Sequence, residues 1–143
     1  MAESAARAPE GSYTGAAVLC RVTLPGRPDH VCEARSLVAK VLGDLPGRRD
    51  DAVLMTSELV TNAVLHSNSR RTGGTVMITV LESAGGVRVE VADSGSELTA
   101  PVVRADVFTA DGHGLFLVQS LADQWGYLRD ESGTTVWFWL ACA

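Results

Sequence analysis

Three cysteines, a single lysine and the lack of any long hydrophobic run set the first limits on this chain of 143 residues. Cys20, Cys32 and Cys142 are odd in number and widely spaced, with neither a CxxC pair nor a Cys/His ligand pattern. That argues against a structural metal site and leaves reduced thiols in a cytosolic protein as the expectation. No stretch approaches the roughly 18 apolar residues of a membrane span, and residues 1–11 hold no apolar signal core. A soluble, cytoplasmic protein that does not partner a membrane is expected. Lys40 is the one lysine, and the formal net charge is -5, from 12 basic and 17 acidic residues. An acidic balance of that kind argues against broad binding to nucleic acid or acidic lipid. A Walker P-loop (GxxxxGK[ST]) and a GxGxxG dinucleotide fingerprint are both missing, so those two nucleotide folds receive no support.

The composition that remains is globular, with 46% hydrophobic and 20% charged residues, and the length suits one domain with a real core. Residues 1–12 read as a mobile tail, leaving 13–143 as a single domain. Residues 16–24 read as a strand ended by Pro25-Gly26, and Asp29 can cap a helix that stops near Gly43. After the Pro46-Gly47 turn, Asp50 or Asp51 stands at the start of a second helix, where negative charge is favoured. Residues 75–81 and 87–92 form two strands around Ser83-Ala84-Gly85-Gly86, a hairpin signal. Residues 94–111 show neither helical nor strand period, and a connection that long in a small domain is functional or disordered. A helix over 113–124 and a final hairpin, 125–129 with 134–141, complete the order β-α-α-β-β-loop-α-β-β. Since the neighbouring strands are mostly hairpin-joined, an α+β two-layer sandwich is predicted, a mixed but mostly antiparallel sheet with helices on one face. Trp125, Trp137 and Trp139, all in the final hairpin, read as core rather than as a partner face.

The chain is organised around its second helix. At 100° per residue, Glu58, Asn62 and His66 fall at about 0°, 40° and 80°, a single polar stripe. Ala52, Val53, Leu59, Val60, Ala63 and Val64 fill the arc from about 100° to 240°, and Leu54 and Leu65 extend it from the other side. A helix this apolar is mostly buried, so its carboxylate, amide and imidazole need partners. Three further signals follow: Asp93-Ser94-Gly95 at a strand end, Gly112-His113-Gly114-Leu115 opening a helix, and Gly133-Thr134-Thr135 entering the last strand. Each alone is common in proteins as a turn or a helix start; it is their joint order and spacing that is specific.

Together, SELVTNAVLHS, VEVADSG, GHGLFLVQSLADQWG and GTTVWFWL resemble the ATP-binding domain of the GHKL superfamily, which includes gyrase, histidine kinases and MutL. They are most similar to the small bacterial anti-sigma-factor serine/threonine kinases, over about residues 13–141. No dimerisation helix with a phospho-accepting His precedes the motifs, so a complete sensor histidine kinase is not expected.

The resemblance implies a Bergerat-type ATP-binding fold, with ATP and Mg²⁺ as cofactors. It makes Asn62 the Mg²⁺ ligand, in keeping with the preference of that ion for oxygen. It makes Glu58, about 6 Å away along the axis, the catalytic base, able to take a proton from an attacking hydroxyl or to orient a water. His66 lies about 12 Å from Glu58, at the edge of the site. Asp93 is placed against the adenine amino group, a choice of adenine over guanine. Gly95 allows close approach to the base, and Thr134 completes that end. Gly112, Gly114 and Leu115 open a helix whose N–H groups face phosphate, with residues 96–111 as a lid. The family often carries a basic residue where His113 stands, and Arg104 is the only basic residue in the lid. Modest nucleotide affinity, rising somewhat below pH 7, is therefore expected. The implied partners are a STAS-type anti-sigma-factor antagonist, as phosphorylation substrate, and a sigma factor held in turn. Members of that group are commonly homodimers. A non-catalytic switch, in which ATP only shapes a protein-binding surface, is the rival reading of the same motifs.

Overall fold

The computed structural model describes residues 17–43, 48–66, 74–83, 85–93, 114–130 and 133–141. Strand β1 (Ala17–Pro25) is followed by a 3-10 turn (Pro28–His30), then by α1 (Val31–Val41) and α2 (Arg49–His66). Strands β2 (Thr75–Ser83) and β3 (Gly86–Asp93) precede α3 (Gly114–Leu121), and β4 (Gln124–Asp130) and β5 (Gly133–Ala141) close the described chain. The strands form one sheet in the order β1-β2-β3-β5-β4. Every pairing is antiparallel, so the expectation of a mostly antiparallel sheet holds and no parallel pair occurs among the described strands.

Valine-rich alternation explains the layering, because successive strand side chains point to opposite faces. Ile78 pairs with Val91 and Val80 with Val89; Val89 pairs with Phe138 and Val91 with Val136. These side chains form one core with Ala34 and Val38 of α1, Met55, Leu59, Val60 and Val64 of α2, and Val118 of α3. Trp125 and Tyr127 of β4 pack on the same core. Trp137 and Trp139 alternate with Phe138, so they project from the opposite face and form a separate buried pair, 4% and 8% exposed. There the Arg88 guanidinium lies 4.2 Å from the centre of the Trp137 ring and its Nε donates to the Glu90 carboxylate at 2.6 Å. Burial pulls the Arg88 pKa below its ordinary value, and the Glu90 charge opposes that shift. All three tryptophans thus belong to packed layers, as expected.

Two helix boundaries differ from the sequence reading, and β2 and β3 run closer to their turn than expected. Asp29 does not cap α1: Pro28, with its fixed φ, starts a 3-10 turn, and the residue before α1 is His30, with no side-chain cap. The Asp29 carboxylate instead faces Arg27 at 3.4 Å. The third helix ends at Leu121, and Gln124, expected as helical, is the first residue of β4. The strands end it: the Asp123 N–H donates to the carbonyl of Trp139 at 3.0 Å, and Gln124 pairs with Trp139.

Candidate functional site

Helix α2 forms because its 18 residues contain no Gly or Pro and its first turn carries Asp50 and Asp51 beside the positive end of the dipole. Its buried side is Ala52, Met55, Thr56, Leu59, Val60 and Val64. Leu54, expected to extend the apolar arc, is instead 41% exposed. Met55 projects just beyond Asn62 at about 60°, and Leu54 lies on the far side of Glu58, at about -40°. The polar stripe therefore runs along the boundary of the core. Its first two members differ accordingly: Glu58 is half-buried, whereas Asn62 is 6% exposed. The Asn62 amide nitrogen is buried without a hydrogen-bond partner among the described residues. Buried amides are almost always bonded, so this N–H donor is open to an acceptor that the described residues do not supply. His66 is the last residue of α2, and its side chain lies outside the described residues.

The second half of the site stands at the sheet end. Val76 pairs with Asp93 and Ala92 with Thr135, so the last residue of β3 meets the start of β5. The backbone N–H of Thr134 donates to Asp93 Oδ1 at 3.1 Å, and Thr134 is buried. A bond across 41 positions thus joins two residues that the sequence motifs single out separately. It fixes the carboxylate at the rim of the sheet. Helix α2 packs directly on β3, and α3 packs on α2. Gly114 and Leu115 form the first turn of α3, the end at which free N–H groups and the helix dipole favour an anion. Gly95, Gly112, His113 and the lid, 96–111, lie outside the described residues.

An amide on a helix suits Mg²⁺ in this setting. That ion binds through one or two protein ligands and is otherwise held by phosphate and water. No group of three or more His, Cys, Asp or Glu side chains converges among the described residues. Asn62 fits the role of the single protein ligand in kind. No described helix is long and apolar enough to cross a membrane.

The sequence reading passed over two residues. Thr56, on the core side of α2, has a fully buried hydroxyl with no partner among the described residues. Arg48 precedes α2 and bonds the C-terminal end of α3. Neither belongs to a motif, and the partners of Arg48 lie far along the chain, so only the fold reveals them.

Comparison with known families adds one finding. The family model described as histidine kinase-like ATPase domain matches residues 24–140, from the end of β1 through nearly all of β5. No curated protein gives a significant match to the chain.

Proposed function

This chain belongs to the family of histidine kinase-like ATPase domains, which makes it an ATP-binding protein, and from that premise we propose that it is a serine/threonine kinase acting on a small protein partner. The observation that carries the reading is the stripe on α2, where an Asn62 amide nitrogen, buried and without a partner among the described residues, sits one turn from a half-buried Glu58. An orphan N–H donor at the core boundary supports a bound phosphate oxygen, with the amide oxygen proposed as the Mg²⁺ ligand, and a carboxylate one turn away supports a base beside it.

In the proposed reaction Glu58 accepts the proton of a Ser or Thr hydroxyl. The hydroxyl oxygen forms a bond to the γ-phosphorus while the bond from that phosphorus to the β–γ bridging oxygen breaks, and ADP leaves. Mg²⁺, when bound, would neutralise charge on the phosphates. Asp93, held by the Thr134 N–H, accepts from the adenine amino group. Gly95, Gly112, His113, Gly114 and Leu115 line the remainder of the nucleotide site, with His66 at its edge. The substrate is a STAS-type anti-sigma-factor antagonist; its phosphorylation frees this protein to hold a sigma factor.

Binding is tested by calorimetry with ATP, ADP and GTP, with and without Mg²⁺, on the wild type and on Asn62→Ala. Saturable, Mg²⁺-dependent binding of ATP but not GTP, reduced at least tenfold by the substitution (a loss of about 1.4 kcal/mol or more), is expected. Phosphate transfer is tested with radiolabelled ATP and a STAS-type antagonist. Glu58→Ala should bind ATP normally and lose transfer by about 10²-fold or more. ATP binding with no transfer by the wild type would leave the non-catalytic switch as the function.

A further inference from the structure

Arg48, outside every nucleotide motif, ties two elements of the proposed site together. Its carbonyl accepts the N–H of Ala52 at 3.0 Å, the first backbone bond of α2. Its guanidinium, in a side chain only 28% exposed, reaches the opposite end of α3 and the end of the last strand. Nη2 donates to the carbonyl of Leu121 at 3.0 Å; Nη1 donates to the Asp123 carboxylate at 3.3 Å and to the carbonyl of Ala141 at 3.4 Å. Nε lies 3.8 Å from the Asp51 carboxylate. Asp123 in turn accepts the N–H of Ala141 at 2.7 Å.

Leu121 is the last residue of α3, so its carbonyl has no partner within the helix, and a cation there also complements the dipole. Serving three acceptors on separate elements requires the fixed fork of a guanidinium, which a lysine ammonium lacks. Helix α3 is eight residues, a rod of about 12 Å. Val118 is its one fully buried side chain among those described. Since α3 packs on α2, fixing the far end of so short a rod constrains where its near end points.

We infer that Arg48 is a positioning residue of the nucleotide site: by clamping the C-terminal end of α3 to the first turn of α2, it sets the α3 N-terminus against the Glu58–Asn62 stripe. This rests on the nucleotide reading proposed above. Its consequence is selective. The adenine end, Asp93 with Thr134, is built by the pairing of β3 and β5, so loosening the clamp disturbs the phosphates and spares the base.

The test is a pair of dissociation constants, for Mg²⁺-ATP and for adenosine. NMR titration reads both on backbone amides, into the millimolar range, for wild type, Arg48→Met, Arg48→Lys and Asp123→Asn. Arg48→Met should weaken ATP by about tenfold and adenosine by less than twofold. Arg48→Lys and Asp123→Asn should fall between, so the test stands even if Arg48→Met does not fold. A lower melting temperature with the ratio of the two constants unchanged in all folded variants overturns the inference and leaves Arg48 as a purely structural tie. Failure of the wild type to bind ATP is read before any variant, and it removes the nucleotide reading itself.

Discussion

Two buried polar groups on α2 lack partners among the described residues, and they call for opposite treatment. The Thr56 hydroxyl is fully buried on the core side of the helix, where a desolvated, unbonded hydroxyl costs stability. Valine has nearly the same shape and removes that cost. Thr56→Val should therefore raise the free energy of unfolding by about 1 kcal/mol, read as a higher urea midpoint at an unchanged slope. Its ATP affinity should stay at the wild-type value; a drop would mean that the hydroxyl serves the nucleotide. The Asn62 amide is equally unpartnered, but it lies on the stripe with Glu58. There the same loss of stability is retained where a ligand would satisfy it, as strained or unsatisfied groups in functional sites often are. Asn62→Ala should accordingly cost binding far more than folding.

At the scale of elements, the β2–β3 hairpin rests on two glycines for different reasons. Ser83 pairs with Gly86, which leaves a two-residue loop, and Gly85 in that loop has φ +98 with open space around it. Gly85→Ala would suffer only the backbone penalty of a left-handed residue, about 1 kcal/mol. Gly86 has no such φ, but an added Cβ would meet the carbonyl oxygen of Leu140 and the Trp139 ring at 2.6 Å. Both belong to the paired strand, so β3 and β5 must part. Gly86→Ala should cost about 3 kcal/mol, and a urea series should separate the two variants by about 2 kcal/mol. The hairpin is legible in sequence because its signal is local: two adjacent glycines, one in the turn and one opening β3, between alternating apolar residues. The end of α3 is not. Ala122, Asp123 and Gln124 can all continue a helix, and what ends it is bonds to Trp139 and Ala141 of β5, which no local window contains.

For the molecule as a whole, the same distinction between local and distant causes divides the site. Glu58 and Asn62 share a helix face, so their spacing alone groups them. Asp93 and Thr134 each stand at a strand end and are brought together by sheet register. Arg48 bonds residues 73 and 93 positions away, a relation without any sequence period. In the proposed site the base contacts stand on strands and the phosphate contacts on helices. A ligand that engages both should stabilise the whole cooperative unit, because anything that binds only the folded state shifts the unfolding equilibrium. Mg²⁺-ATP at a hundred times its dissociation constant adds about 2.7 kcal/mol, or roughly 8 °C in the melting midpoint of a domain this size. GTP at the same concentration should leave the midpoint within about 1 °C of the free protein, since Asp93 is proposed to select an amino group. Asn62→Ala should lose most of the ATP shift. Thr56→Val should keep it on a higher baseline. A scanning calorimetry series across these four conditions checks the reading in one experiment. Equal shifts with ATP and GTP would show that phosphate alone is bound, and would withdraw Asp93 from base recognition while leaving the α2 stripe in place.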